Sequence, residues 1–252
     1  MEFDKWLKNK DLGYQKGILH VAGVNTIKLA EKHGTPLYVV NEQLIRKRYR
    51  ELKEALDSEY KNNLIYYAVK ANTGLSMLRI LSSENACFDC SSVGEVYTCF
   101  KAGIASDKIF YTGNMFTNDD FKYAVENDLM INLDSISQIK RLAKVYEDLG
   151  KEKKTISFRI NPEFGAGHHV HTITAGKQIK FGILDNQVIE AYSKAKDFGF
   201  DKFGIHMHIG SGILNPKDFE KAAEKYLSII INLSDSLDNS DMACIRFLSV
   251  DE

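Results

Sequence analysis

No apolar run in this chain approaches the roughly 20 residues that a membrane-spanning helix needs, so a membrane protein is not expected. The opening Met1-Glu-Phe-Asp4 lacks the basic and apolar blocks of a secretory signal. Excess charge of either sign is missing too. The 33 basic and 34 acidic residues give a formal net charge of -1 with no bias between the ends, which removes the electrostatic case for nucleic acid or membrane-surface binding. Cysteine is scarce: Cys87, Cys90, Cys99 and Cys244 suit reduced thiols better than a disulfide frame in a chain this long. Cys87-x-x-Cys90 has no second pair, and strand alternation would turn its thiols to opposite faces, which argues against zinc. What is present is an ordinary globular composition, 44% hydrophobic over 252 residues, enough to bury the core of one domain. A cytoplasmic protein directed at small molecules is the expectation.

Residues 1–35 carry Gly13, Gly17, Gly23 and Gly34 among short mixed segments and read as irregular structure with a short strand or helix, outside the core. Residues 35–40, Thr-Pro-Leu-Tyr-Val-Val, are β-branched and aromatic after a turn and predict a strand; Asn41 predicts the cap of a helix reaching about residue 60. Short apolar runs then follow at 64–69, 86–90, 108–112, 130–134, 155–160, 203–209 and 245–250. Helical patterns at 75–83, 93–102, 118–127, 136–149, 186–198 and 216–237 separate them. This alternation implies right-handed βαβ units and a parallel sheet. Without a change of hand it favours an incomplete (β/α)8 TIM-type barrel of about seven βα units.

Active sites of that fold gather at the C-terminal ends of the strands. There the chain offers Lys70 and Asn72, Asp89, Ser91 and Ser92, Gly113 and Asn114, Asp134 and Ser135, Asn161, and His208, Gly210 and Ser211. Lys70 closes an apolar run just before a small-polar turn. Either its amine snorkels into water, or it is held on rigid backbone, desolvated enough to lose its proton and attack a carbonyl. His206 and His208, two apart on one strand, share a face. A metal pair would need further histidines and a carboxylate from other strand ends, where only Asp89 and Asp134 stand. In the alternative, His208 stacks on a flat heteroaromatic ring, His206 is a core histidine, and Ile-Gly-Ser211 offers bare backbone and a hydroxyl to a phosphate. An aldehyde-capturing lysine, a stacking histidine and a phosphate-type turn at one barrel mouth are what pyridoxal phosphate requires, the cofactor serving as electron sink.

Seven segments carry a family resemblance: Tyr67-Ala-Val-Lys-Ala-Asn72, Phe88-Asp-Cys-Ser-Ser-x-Gly-Glu95, Tyr111-Thr-Gly-Asn114, Arg159-Ile-Asn-Pro162, Gly165-x-Gly-His168, Lys180-Phe-Gly182 and His206-Met-His-Ile-Gly-Ser211. In order and spacing they resemble the barrel domain of diaminopimelate decarboxylases, members of the alanine-racemase-like pyridoxal phosphate enzymes, over about residues 35–250. The resemblance implies that Lys70 joins the cofactor covalently, that His208 stacks on its ring, and that Gly210 and Ser211 help hold the phosphate. Asp89 and Glu95 would sit near the lysine and the stacking histidine, Glu95 having an exposed helix position as its alternative. Arg159 would approach the ring or form an ion pair inside the barrel, and Lys180 would face the partner of a homodimer. The implied reaction converts meso-diaminopimelate to L-lysine. Alternatives within the superfamily are an ornithine- or arginine-type decarboxylase or an amino-acid racemase; a non-catalytic regulatory relative is the alternative outside it.

Part of the family pattern is not in this chain. The Gly-Gly-Gly phosphate loop after the seventh strand, the Glu-Pro-Gly-Arg stretch, an eighth strand and the C-terminal β domain with its Cys-Glu-Ser-Asp segment are absent. The expectation is a partial pyridoxal phosphate-binding barrel over residues 36–252, a fragment or truncated product. Its segment 1–35 would pack on the absent β domain. Alone, the chain is expected to bind the cofactor weakly and decarboxylate poorly.

Overall fold

The computed structural model describes residues 11–165, 180–236 and, as backbone, 248–251. Cys244, residues 166–168 of the Gly165-to-His168 motif, and residues 245–247 of the last expected strand lie outside the described residues. Two compact units appear. One comprises the described residues up to Asn63 together with Ser83–Asn85, the other Leu64–Ser82 and the described residues from Ala86 onward.

In the first unit, β1 (Leu12–Gln15), β2 (Ile18–Val21) and β3 (Val24–Asn25) form an antiparallel meander, more regular than the irregular structure with a short strand or helix read from the sequence. Helix α1 (Thr26–His33) starts at Asn25, whose side-chain oxygen accepts from the Lys28 amide. Helix α2 (Glu42–Glu59) starts as expected at Asn41, which accepts from the Leu44 amide at 3.2 Å. Glu84 accepts from Arg46 at 2.6 Å and Arg50 at 2.7 Å, and these hydrogen bonds hold its carboxyl at about 2. The strand expected over residues 35–40 is not there. That stretch is irregular, with Tyr38 98% exposed. A β-prone sequence becomes a strand only against a partner, and none pairs with it among the described residues.

The second unit is built on parallel strands: β4 (Tyr66–Ala68), β5 (Cys87–Cys90), β6 (Ile109–Thr112), β7 (Met130–Leu133), β8 (Ile156–Asn161), β9 (Ile183–Leu184), β10 (Phe203–Ser211) and β11 (Leu248–Asp251). They pair in the order β4-β5-β6-β7-β8-β10-β11. The short β9 pairs with the last two residues of β8, beyond the point where β7 stops. Each long strand thus lies beside its predecessor, as the staves of a barrel do; a doubly wound sheet would reverse direction at its middle. No pairing between β11 and β4 closes the ring among the described residues. Helices α3 (Leu75–Ser83), α4 (Val93–Ala102), α5 (Asn118–Glu126), α6 (Ser137–Asp148), α7 (Val188–Asp197) and α8 (Pro216–Ser236) make the crossovers. Among the described residues no helix is long and apolar enough to cross a membrane.

Register separates the two faces of this sheet. Partners in a parallel ladder share a face, so Ala68, Asp89, Phe110 and Met130 lie in one row, and Thr112, Asn132, Ser157 and Gly204 in the next. Alternation along β8 and β10 adds Arg159, Asn161, His206 and His208 to that face. The opposite face carries Ile131, Leu133, Ile156, Phe158, Ile160, Phe203, Ile205 and Met207, each no more than 1% exposed. At about 1.5–3 kcal/mol per buried large apolar side chain, this face holds the sheet to its helices. The Tyr192 ring of α7 meets Phe158 and Phe203 at 4.9 and 5.5 Å, and its hydroxyl donates to the Gly204 carbonyl at 2.7 Å. Cys90 faces α4, its sulfur 3.6 Å from that of Cys99, while Cys87 shares the Asp89 face.

Candidate active site

Beyond β4 the chain turns through a single 3-10 turn, Val69–Ala71, that lifts Lys70 above the C-terminal edge of the sheet. Val69 is fully buried and anchors the turn. Asn72 closes it by donating its amide to the Val69 carbonyl and then accepts the Gly74 amide at 2.9 Å, which starts α3. Lys70 is exposed, the arrangement in which a lysine at a strand end reaches water. The residue lines a cavity at this end of the sheet.

That cavity, about 370 Å³, lies within the roughly 300–1,000 Å³ common for small-molecule sites. Lys70, Asp89, Ser91, Ser92, Gly113, Asn114, Arg159, His206 and His208 line it. Lys70 and His208, with four strands of the ladder between β4 and β10, therefore share one end of the sheet. Asn72, Glu95, Asp134, Ser135, Asn161, Gly210 and Ser211 are not in the lining. Gly210 and Ser211 end β10 next to it. Glu95 accepts the Ser91 amide at 2.7 Å while Ser92 accepts the Glu95 amide at 3.3 Å, so this carboxylate fixes the start of α4 and the loop before it.

Met115, Phe116 and Asp120 also line it and were not singled out from the sequence, and Tyr111 and Thr112, quoted there only within a motif, join them. Thr112 donates its hydroxyl to Asp89 at 2.8 Å, orienting the carboxylate within the cavity. The Phe116 ring folds onto bare backbone at Gly113, where a Cβ would come within 2.7 Å of it, and packs on Tyr111 and Phe121 at 4.8 and 4.7 Å. Asp120 caps α5 through Thr117.

Three polar lining residues are buried. Arg159, His206 and His208 are 7%, 2% and 5% exposed. Burial pushes the His206 imidazole well below its ordinary value of 6.5, and the Arg159 cation, His208 and Lys70 push it further the same way. His206 is therefore neutral near pH 7. The unfolded chain takes up a proton on this ring below about pH 6.5 and the folded chain does not. The stability linked to the neutral ring is thus complete above that pH and is lost as pH falls below it, by up to about 1.4 kcal/mol per pH unit. Urea midpoints measured from pH 7 to 5 will fall more steeply for the natural chain than for His206→Gln. Equal slopes would contradict this.

A family model described as the pyridoxal binding domain of pyridoxal-dependent decarboxylases matches residues 42–243. A diaminopimelate decarboxylase of Methanothermobacter thermautotrophicus is 45% identical over 214 residues, which is 85% of this chain and 49% of the relative. Among solved structures, diaminopimelate decarboxylase from M. jannaschii in complex with L-lysine superposes with a TM-score of 0.84 at 28% identity, covering 95% of this chain and 56% of that one. The Helicobacter pylori enzyme complexed with L-lysine gives 0.80 at 30% identity, covering 88% and 55%. The chain spans about half the length of the curated relative.

Proposed function

We propose that this chain, which belongs to the pyridoxal-dependent decarboxylases and carries their pyridoxal binding domain, takes pyridoxal phosphate in the cavity beside Lys70 and serves the decarboxylation of meso-diaminopimelate to L-lysine. One observation carries the reading: Lys70, Asp89, Arg159 and His208, from four separate strands or strand ends, meet at a single cavity. The donor set fits the cofactor. It offers a primary amine for the aldehyde and an imidazole face for the ring, and the end of β10, next to the lining, would offer backbone and a hydroxyl to a phosphate. When bound, the cofactor supplies an electron sink for the charge left on the α-carbon as carbon dioxide departs.

The chain's own residues would do the rest. Lys70 would hold the aldehyde, and its amine is also a group that could move a proton in this cavity. His208 would stack on the ring, with Gly210 and Ser211 toward the phosphate. Asp89, oriented by Thr112, would place a carboxylate in the same cavity as the lysine. Neutral His206 adds no positive charge beneath a site that already contains Arg159 and Lys70. A cytoplasmic homodimer, in which residues 1–35 pack on a further β domain and Lys180 faces the partner, belongs to the same proposal.

The test is carbon dioxide release with pyridoxal phosphate and meso-diaminopimelate, ornithine or arginine as substrate. This chain should form lysine from diaminopimelate far more slowly than the longer M. thermautotrophicus relative, and should release nothing from the other two. Faster release from ornithine or arginine would overturn the substrate. Full-rate lysine formation would overturn the need for more polypeptide.

A further inference from the structure

Asp134 follows β7 and is 9% exposed. Its backbone amide and that of Ser135 donate to the Gln138 side-chain oxygen at 2.8 and 3.2 Å, and the Gln138 amide group donates to the Asn114 carbonyl. The turn that presents the Asp134 carboxylate is therefore itself fixed. That carboxylate accepts the amide of Gly182, 48 positions away, at 3.0 Å. Gly182 has φ +81°, and a Cβ there would stand 2.9 Å from the Arg159 carbonyl oxygen and 3.3 Å from the Arg159 Cγ. Its neighbour Phe181 places its ring 5.0 Å from the Arg159 guanidinium. The two residues before β9 thus lie along the backbone, the stem and the head of one cavity-lining arginine. A buried carboxylate holds them there; burial raises its pKa above the ordinary carboxyl value, and the Arg159 cation and the Gly182 amide partly offset that rise.

We propose that Asp134 is a positioning residue for Arg159: by accepting the Gly182 amide it seats Phe181 and Gly182 against the arginine and fixes the guanidinium in the cavity wall. The effect on cofactor binding rests on the proposed reading of the cavity. The clasp itself does not, and the test separates the two.

Asp134→Asn keeps an acceptor oxygen and Asp134→Ala has none. Without cofactor, the Gly182 amide should exchange slowly in the natural chain and in Asp134→Asn, and about tenfold faster in Asp134→Ala. With pyridoxal phosphate as probe, the dissociation constant should rise about tenfold in Asp134→Ala and in Arg159→Ala. It should rise no further in the double variant, because one residue acts through the other. Gly182→Ala, whose added Cβ collides with Arg159, should reproduce the loss with Asp134 in place should Asp134→Ala fail to fold. Unchanged Gly182 exchange in Asp134→Ala, or a full further loss in the double variant, overturns the clasp. Should the natural chain show no saturable binding, the cofactor reading fails, and Gly182 exchange together with the Arg159 side-chain resonance decides the clasp alone.

Discussion

In Lys70→Ala the chain should keep its fold and lose its cofactor. Lys70 is exposed, and substitutions at such positions usually alter stability by no more than about 0.5 kcal/mol. The urea midpoint should accordingly stay close to that of the natural chain. Retention of pyridoxal phosphate through gel filtration should fall by roughly tenfold or more, because no other amine among the lining residues can attach the aldehyde covalently. A variant that retained cofactor as well as the natural chain would mean that the amine does not hold it. A variant that unfolded would mean that Lys70 is a structural residue.

Phe158→Ala should do the reverse. Phe158 is fully buried on the helix-facing side of β8, packed on Tyr192. Removing such a ring costs about 3–5 kcal/mol, a large part of the roughly 5–15 kcal/mol that stabilises a typical domain. Urea unfolding should report a loss of that size, and a cost below about 1 kcal/mol would contradict the two-faced sheet. Its sequence neighbours Ser157 and Arg159 point the other way, so adjacent positions on one strand divide between holding the fold and building the site.

That division was legible in the letters of the sequence. Ile156-Ser-Phe-Arg-Ile-Asn161 and Phe203-Gly-Ile-His-Met-His208 alternate strictly, and period two can only mean a strand with unlike faces. Strand-end logic likewise placed Lys70, Asp89 and His208 together, since a barrel gives every strand end the same side. The errors arose where local pattern does not carry the deciding contact. Residues 35–40 have strand composition but no pairing partner among the described residues. For Lys70 the sequence left two readings open, an amine in water or a desolvated one, because exposure depends on what covers a cavity and not on the run of residues before it. Glu95, for which a helix position stood as the alternative, also has a local signal, since Ser92-x-x-Glu95 has the spacing of a helix N-terminal box. The Asp134–Gly182 contact spans 48 positions and leaves no periodic trace.

The most direct measurement is borohydride reduction of the chain in the presence of pyridoxal phosphate, followed by digestion and mass mapping of the pyridoxyl label. One modified peptide is expected, and it contains Lys70. A label confined to a different lysine, or scattered over many surface lysines with Lys70 no more reactive than the others, would contradict the assignment of this cavity as the cofactor site.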